Sequence, residues 1–170
     1  MLTAIRAAEH DIREALSTTL PAELQKGLLG GELHPKPKFR RQGSGAYGLL
    51  NDPLRGSKSY AEADADLGVY QPLTALKKST DSPSFAANLY LDAVQAVLSA
   101  LAAKKGWSIR RKTCCIRVRV RDDAHVDVTC YVVPDEEFRE MAKMFAFSEA
   151  LNRAGAGIDE LEWDLSWDEI

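Results

Sequence analysis

The sequence predicts an α/β (α+β) domain: a mixed, mainly antiparallel sheet with helices on its back and an open acidic front. Three observations predict it. From Asp64 to Tyr70 the residues alternate, with Ala65, Leu67 and Val69 on one side and Asp64, Asp66 and Gly68 on the other. From His125 to Val133 they alternate again, Val126, Val128, Cys130 and Val132 opposing His125, Asp127, Thr129 and Tyr131. Period-two alternation marks a strand with one buried face. Between the two lies a long apolar helix able to cover their shared back.

In chain order, residues 2 to about 18 read as an amphipathic helix, with Ile5, Ala8, Ile12 and Leu16 on one stripe and Arg6, Glu9, Arg13 and Glu14 outside it. Leu20-Pro21 is read as its end, and Gly27, Gly30-Gly31, Pro35 and Pro37 as a loop into a first strand at Phe39. Lys36, Lys38, Arg40 and Arg41 make that approach basic, which suits a polyphosphate contact. Gly45 to Asn51 reads as one or two helical turns, and Asp52 to Ala63, with Pro53, Gly56 and Lys58, as a loop or lid.

The long apolar helix has Ser82 as N-cap, Pro83 at the first helical position, Lys104-Lys105 at its end and Gly106 just beyond. Trp107 to Arg121 supplies one or two strands, ending with Ile116, Val118 and Val120 inward and Arg117, Arg119 and Arg121 outward. A turn at Asp122-Asp123-Ala124 follows, and pairing like faces sets Arg119 across from Asp127 and Arg121 across from His125. Arg119 then balances charge in an acidic cluster, and His125 is a strand-end hydrogen-bonding residue. Pro134 ends the strand, Asp135 to about Arg153 is helical, and Leu161 to Trp167 alternates like an edge strand.

Gln42-Gly43-Ser44 is a strand-to-helix turn of small residues, a place where backbone N–H groups can approach a phosphate. Asp64 and Asp66, at i and i+2 on a strand, share a face and offer hard oxygen ligands to Mg²⁺ or Mn²⁺. With Asp127 they make three carboxylates on one open sheet face, a set able to hold two metal ions for displacement at phosphorus.

At Gln42-Gly43-Ser44, Asp64-Ala65-Asp66-Leu67-Gly68-Val69-Tyr70 and His125-Val126-Asp127 the chain resembles the cGAS/DncV-like nucleotidyltransferases (CD-NTases), within the polymerase-β-type superfamily. The resemblance runs from about Phe39 to Pro134. It implies a polymerase-β-like nucleotidyltransferase core, and an enzyme that makes cyclic oligonucleotide signals from nucleoside triphosphates in bacterial anti-phage (CBASS) defence. It implies that Gln42, Gly43 and Ser44 bind nucleotide, with Gly43 and Ser44 on donor phosphates. It implies that Asp64, Asp66 and Asp127 are catalytic and ligate Mg²⁺ (or Mn²⁺). The chain departs from the family in the 19 residues between Ser44 and Asp64, read as an insertion, and in lacking a C-terminal helical lobe. Residues 1–170 are therefore expected to be a single nucleotidyltransferase core domain. Two further readings remain: a nucleotide-binding fragment or scaffold inactive without a second lobe, and an RNA-modifying nucleotidyltransferase.

A length of 170 residues suits one domain, and 45% hydrophobic with 28% charged residues is ordinary for a globular chain. The expected partners are nucleoside triphosphates, ATP and GTP first, and a regulatory or second-lobe protein. A net charge of −3 gives no general attraction to nucleic acid, and no run is read as a membrane span or signal peptide, so the reading is cytoplasmic. The three cysteines match no zinc or disulfide spacing and read as free thiols.

Overall fold

The computed structural model describes residues 2–27, 34–43, 63–77 and 83–153. Expectations for Ser44, the 45–51 turns, most of the 52–63 loop including Lys58, and the 154–170 tail lie outside the described residues.

The elements are α1 (Leu2–Gly27), β1 (Lys38–Gln42), β2 (Ala63–Pro72), α2 (Leu73–Lys77), α3 (Pro83–Lys105), β3 (Ser108–Arg111), β4 (Cys115–Arg121), β5 (Ala124–Val133) and α4 (Asp135–Arg153). The described strands form one five-stranded sheet in the order β1-β2-β5-β4-β3. β2 and β5 run parallel at its centre and the other three pairs are antiparallel, as a mixed, mainly antiparallel sheet requires.

The alternation in sequence is the alternation in burial. Ala65, Leu67 and Val69 of β2 and Val126 and Val128 of β5 are buried on the back, where α1 and α3 cover them. α3 is apolar enough over Ser84–Lys105 to cross a membrane by length and composition, but its Tyr90, Val94 and Leu98 are buried in the core. The Tyr90 hydroxyl donates to the Val69 carbonyl at 2.9 Å, fixing α3 to the central strand. Gly106 ends α3 at φ +71°, and the Trp107 N–H returns to the Ala102 carbonyl at 2.9 Å, a Schellman closure.

Two expectations are corrected. α1 does not stop at Pro21 but runs to Gly27 with Pro21 inside it. Pro21 cannot donate to the Ser17 carbonyl. That loss is outweighed because Leu20 and Leu24 extend the Ile12–Leu16 stripe at four-residue spacing and are fully buried. The β4–β5 register differs by two residues from the expectation: Arg117, not Arg119, lies across from Asp127, and Arg119 lies across from His125. Arg121 pairs directly with Ala124, leaving a tight turn and a bulge between Arg119 and Arg121. A slip of two keeps every residue on its expected face.

Candidate active site

Strand register sets the site. Gln42 of β1 pairs with Asp66 of β2, Asp66 with Asp127 of β5, Asp127 with Arg117 of β4, and Arg117 with Arg110 of β3. All five stand in one row on the front, because partners across a sheet share a face. Asp64 and His125 pair in the next row. The front is therefore acidic on β2 and β5 and basic on β4 and β3.

Gly43 follows Gln42 at φ +59°, a conformation that costs an L side chain roughly 1–2 kcal/mol. It also sits against a carboxylate, since a Cβ there would lie 2.6 Å from Asp66 Oδ2. One bare backbone position thus joins the expected phosphate turn to an expected metal ligand.

The three carboxylates are not alike. Asp64 is exposed and Asp66 half-buried. Burial pushes the Asp66 carboxyl up, the charges of Asp64 and Asp127 push it further, and His125 and Lys112 pull it partly back. Asp127 is clamped: Arg117 Nε donates to Oδ1 and its second nitrogen to Oδ2, each at 2.8 Å, while Lys112 Nζ donates to Oδ2 at 2.9 Å. Burial raises Asp127, but the hydrogen bonds and charges of Arg117 and Lys112 outweigh it and hold the carboxyl at about 2.

Among the described residues no three His, Cys, Asp or Glu side chains already surround one point as a metal shell would. The donor set still fits a hard divalent cation. Asp64 and Asp66 present carboxylate oxygens on one face, and the crowding of negative charge that raises Asp66 is what a cation would relieve. Asp127 already accepts three hydrogen bonds from Arg117 and Lys112, so a cation would meet it on the acceptor site left on Oδ1 or by displacing one of them.

Of the other expected residues, Gln42 turns its amide into a tyrosine pair, donating from Nε2 to Tyr70 Oη and accepting from Tyr131 Oη, both at 3.0 Å. Arg41 does not face the phosphate turn. Its guanidinium pairs with the buried Glu9 of α1 at 2.8 Å, on the back of the sheet. The described cysteines are free; burial pushes the Cys130 thiol up to about 12 and raises Cys115, so neither is a ready nucleophile at neutral pH.

Sequence reasoning missed Arg117 and Lys112 as the partners of Asp127, and Tyr70 and Tyr131 as a pair. The tyrosines carried a usable signal. Each lies four residues after a front-facing aspartate, Asp66 to Tyr70 and Asp127 to Tyr131, so two parallel strands in register bring the tyrosines together as they do the aspartates.

The Arg117 clamp has a pH signature. A carboxyl held near 2 in the fold and near 3.9 when unfolded stabilises the fold above about pH 4, and that contribution is lost as pH falls through about 2. Arg117→Gln is expected to lower stability at pH 7 by about 2–3 kcal/mol, less than for a fully buried pair because Lys112 remains. The gap in melting temperature between the two proteins should narrow on going from pH 7 to pH 2.5. A gap independent of pH would place the loss in packing instead.

Comparison with known proteins identifies the family and the fold. Residues 37–131, more than half of the chain, match the family described as cyclic GMP-AMP synthase DncV-like, nucleotidyltransferase domain. A cyclic GMP-AMP synthase of Escherichia coli is 35% identical over 107 residues, covering 62% of this chain and 23% of that protein. A mutant form of the Vibrio cholerae di-nucleotide cyclase DncV superposes with a TM-score of 0.62 at 20% identity, over 80% of this chain and 46% of that one. The same cyclase in complex with GTP and 5MTHFGLU2 superposes at 0.50 with 32% identity, over 62% of this chain and 26% of that one. The chain thus spans about a quarter of the curated relative that it matches.

Proposed function

The chain belongs to the DncV-like nucleotidyltransferase domain family, and on that premise we propose that it is a metal-dependent nucleotidyltransferase that joins nucleoside triphosphates into a cyclic oligonucleotide signal. The observation that carries this reading is the closeness of Gly43 to Asp66, such that a Cβ added at Gly43 would lie 2.6 Å from Asp66 Oδ2: a turn suited to phosphate abuts a carboxylate suited to a metal.

In this reading Gly43 and Ser44 hold the donor's β- and γ-phosphates through backbone N–H groups and the serine hydroxyl, and Gln42 fixes the start of the turn. Asp64 and Asp66 would hold a cation carried in with the triphosphate, and Asp127 would join them through the acceptor site that Arg117 and Lys112 leave on Oδ1. Bound Mg²⁺ or Mn²⁺ supplies charge neutralisation on the phosphates and a lowered pKa for the acceptor hydroxyl. That hydroxyl oxygen forms a bond to the α-phosphorus, the α–β bridging bond breaks, pyrophosphate leaves and the hydroxyl proton passes to solvent. The residues contribute positioning and charge, the main needs of such transfers. ATP and GTP are the proposed substrates, because the E. coli relative is a cyclic GMP-AMP synthase and a similar structure holds GTP. The proposal extends to cytoplasmic anti-phage signalling with a regulatory or second-lobe protein partner.

The Asp127 clamp favours a second reading, a module that binds nucleotide without turnover while Arg117 and Lys112 neutralise the third carboxylate. Incubation with labelled ATP, GTP, CTP and UTP plus Mg²⁺ or Mn²⁺ decides. A phosphatase-resistant product containing adenosine and guanosine, made by the unmutated chain and not by Asp64→Asn/Asp66→Asn, is the expected result. Metal-dependent ATP binding without product establishes the second reading, label joined only to added RNA an RNA-modifying enzyme, and neither product nor binding overturns all three.

A further inference from the structure

The front face carries a hydrogen-bonded relay with an unspent end. Tyr70 and Tyr131 pair across β2 and β5, and their rings stack with centroids 5.0 Å apart and planes 16° from parallel. Tyr131 Oη donates to Gln42 Oε1, and Gln42 Nε2 donates to Tyr70 Oη. A phenol that accepts one hydrogen bond still has its own proton to give. Among the described residues no acceptor takes the Tyr70 proton.

Gly68 determines where that proton sits. Tyr70 belongs one row beyond Gly68 on the front, and its ring folds back over the glycine: a Cβ at Gly68 would lie 2.8 Å from Tyr70 Cε2 and 3.0 Å from its hydroxyl oxygen. The hydroxyl therefore lies over the row next to Asp66, and within reach of the Gln42 amide, the residue just before the Gly43 turn. Stacking and Gln42 together restrict the rotation of the ring, so the donor is oriented before any ligand arrives.

We propose that the Tyr70 hydroxyl is a phosphate-binding donor of this site, aimed by Gln42 and Tyr131 at an oxygen of the polyphosphate held on the Gly43 turn. The inference rests on the nucleotidyltransferase reading above and adds a ligand-contacting residue to it. Burial pushes the Tyr70 hydroxyl above its ordinary range, which keeps the proton in place at working pH. Tyr131 is a positioning residue, acting through Gln42.

The test is calorimetric titration of Mg²⁺-ATP and of Mg²⁺-tripolyphosphate into the wild type, Tyr70→Phe, Tyr131→Phe and Gly68→Ala. Tyr70→Phe keeps the stacked ring and should melt within a few degrees of wild type, yet bind both ligands about tenfold more weakly, the loss of one hydrogen bond to an anion. Tyr131→Phe should weaken binding about threefold, through loss of aim alone. Gly68→Ala keeps the hydroxyl but displaces the ring, and should match Tyr70→Phe. Tripolyphosphate should perturb the near-ultraviolet tyrosine band of the wild type and leave that of Tyr70→Phe unchanged. If wild type binds and Tyr70→Phe or Gly68→Ala binds equally tightly, the inference is wrong and the nucleotide reading stands. If Tyr70→Phe loses ATP but keeps tripolyphosphate, the donor serves the nucleoside, and the phosphate assignment falls. If wild type binds neither ligand, the nucleotide reading falls and takes this inference with it.

Discussion

Asp66→Asn is expected to abolish nucleotidyl transfer, with a loss on the order of a thousandfold or more, while making the protein harder to unfold. The two effects have one source. Burial, then the charges of Asp64 and Asp127, raise the Asp66 carboxyl above its ordinary value, so its ionised form is disfavoured in the fold. An acid with a raised folded pKa costs stability in full above that pKa, and the cost disappears as pH falls below the unfolded value near 3.9. Asparagine is nearly isosteric, carries no charge and removes the repulsion. The melting temperature of the variant should therefore exceed that of wild type at pH 7.5, and the difference should shrink by pH 4. Mg²⁺ or Mn²⁺ should raise the melting temperature of wild type and do little for the variant. A variant less stable than wild type at pH 7.5 would mean that Asp66 is a structural hydrogen-bonding group rather than a charge held ready for a cation.

Gly43→Ala is the second large effect. Two costs add: a side chain at φ +59°, and a Cβ 2.6 Å from Asp66 Oδ2. The first is roughly 1–2 kcal/mol, which in a chain of this size lowers the melting temperature by about 3 °C per kcal/mol. The second can be relieved only by moving the turn or the Asp66 carboxylate, and either separates the parts of the proposed site. Metal-dependent ATP binding should fall more than tenfold. Gly106→Ala supplies the matched comparison. Gly106 has φ +71°, but a Cβ there meets nothing within 4 Å, so the strain is similar and the clash absent. Gly106→Ala should lose comparable stability and bind ATP as wild type does. Equal losses of binding in both variants would mean that general destabilisation accounts for the effect.

Much of this was legible from sequence because half-buried strands write their two faces into alternate positions. The alternation at Ala65, Leu67 and Val69, and at Val126 and Val128, fixed the back of the sheet. The aspartates on the other face followed. What sequence could not carry was distance along the strands. The two-residue slip that brings Arg117 rather than Arg119 to Asp127 leaves every face unchanged, so the pattern of apolar and charged residues is blind to it. Pro21 misled for a related reason: one missing hydrogen bond is visible in the sequence, whereas the burial of Leu20 and Leu24 that outweighs it is a property of the packed helix. Lys112 reaches Asp127 from the β3–β4 connection, and nothing in its spacing announces that contact. Gly68 looked like an ordinary front-facing position, and its role as the floor beneath the Tyr70 ring required the ring to be placed.

The central claim is that the Gly43 turn and the Asp64–Asp66 strand form one metal-dependent nucleotide site. Calorimetric titration of ATP into the chain, with Mn²⁺ and again with EDTA, tests it most directly, with Asp64→Asn/Asp66→Asn run alongside. The account predicts one ATP bound per chain with Mn²⁺, and binding weakened at least tenfold by EDTA or by the double substitution. ATP binding that is the same with EDTA as with Mn²⁺, or the same in the double variant as in wild type, would contradict it.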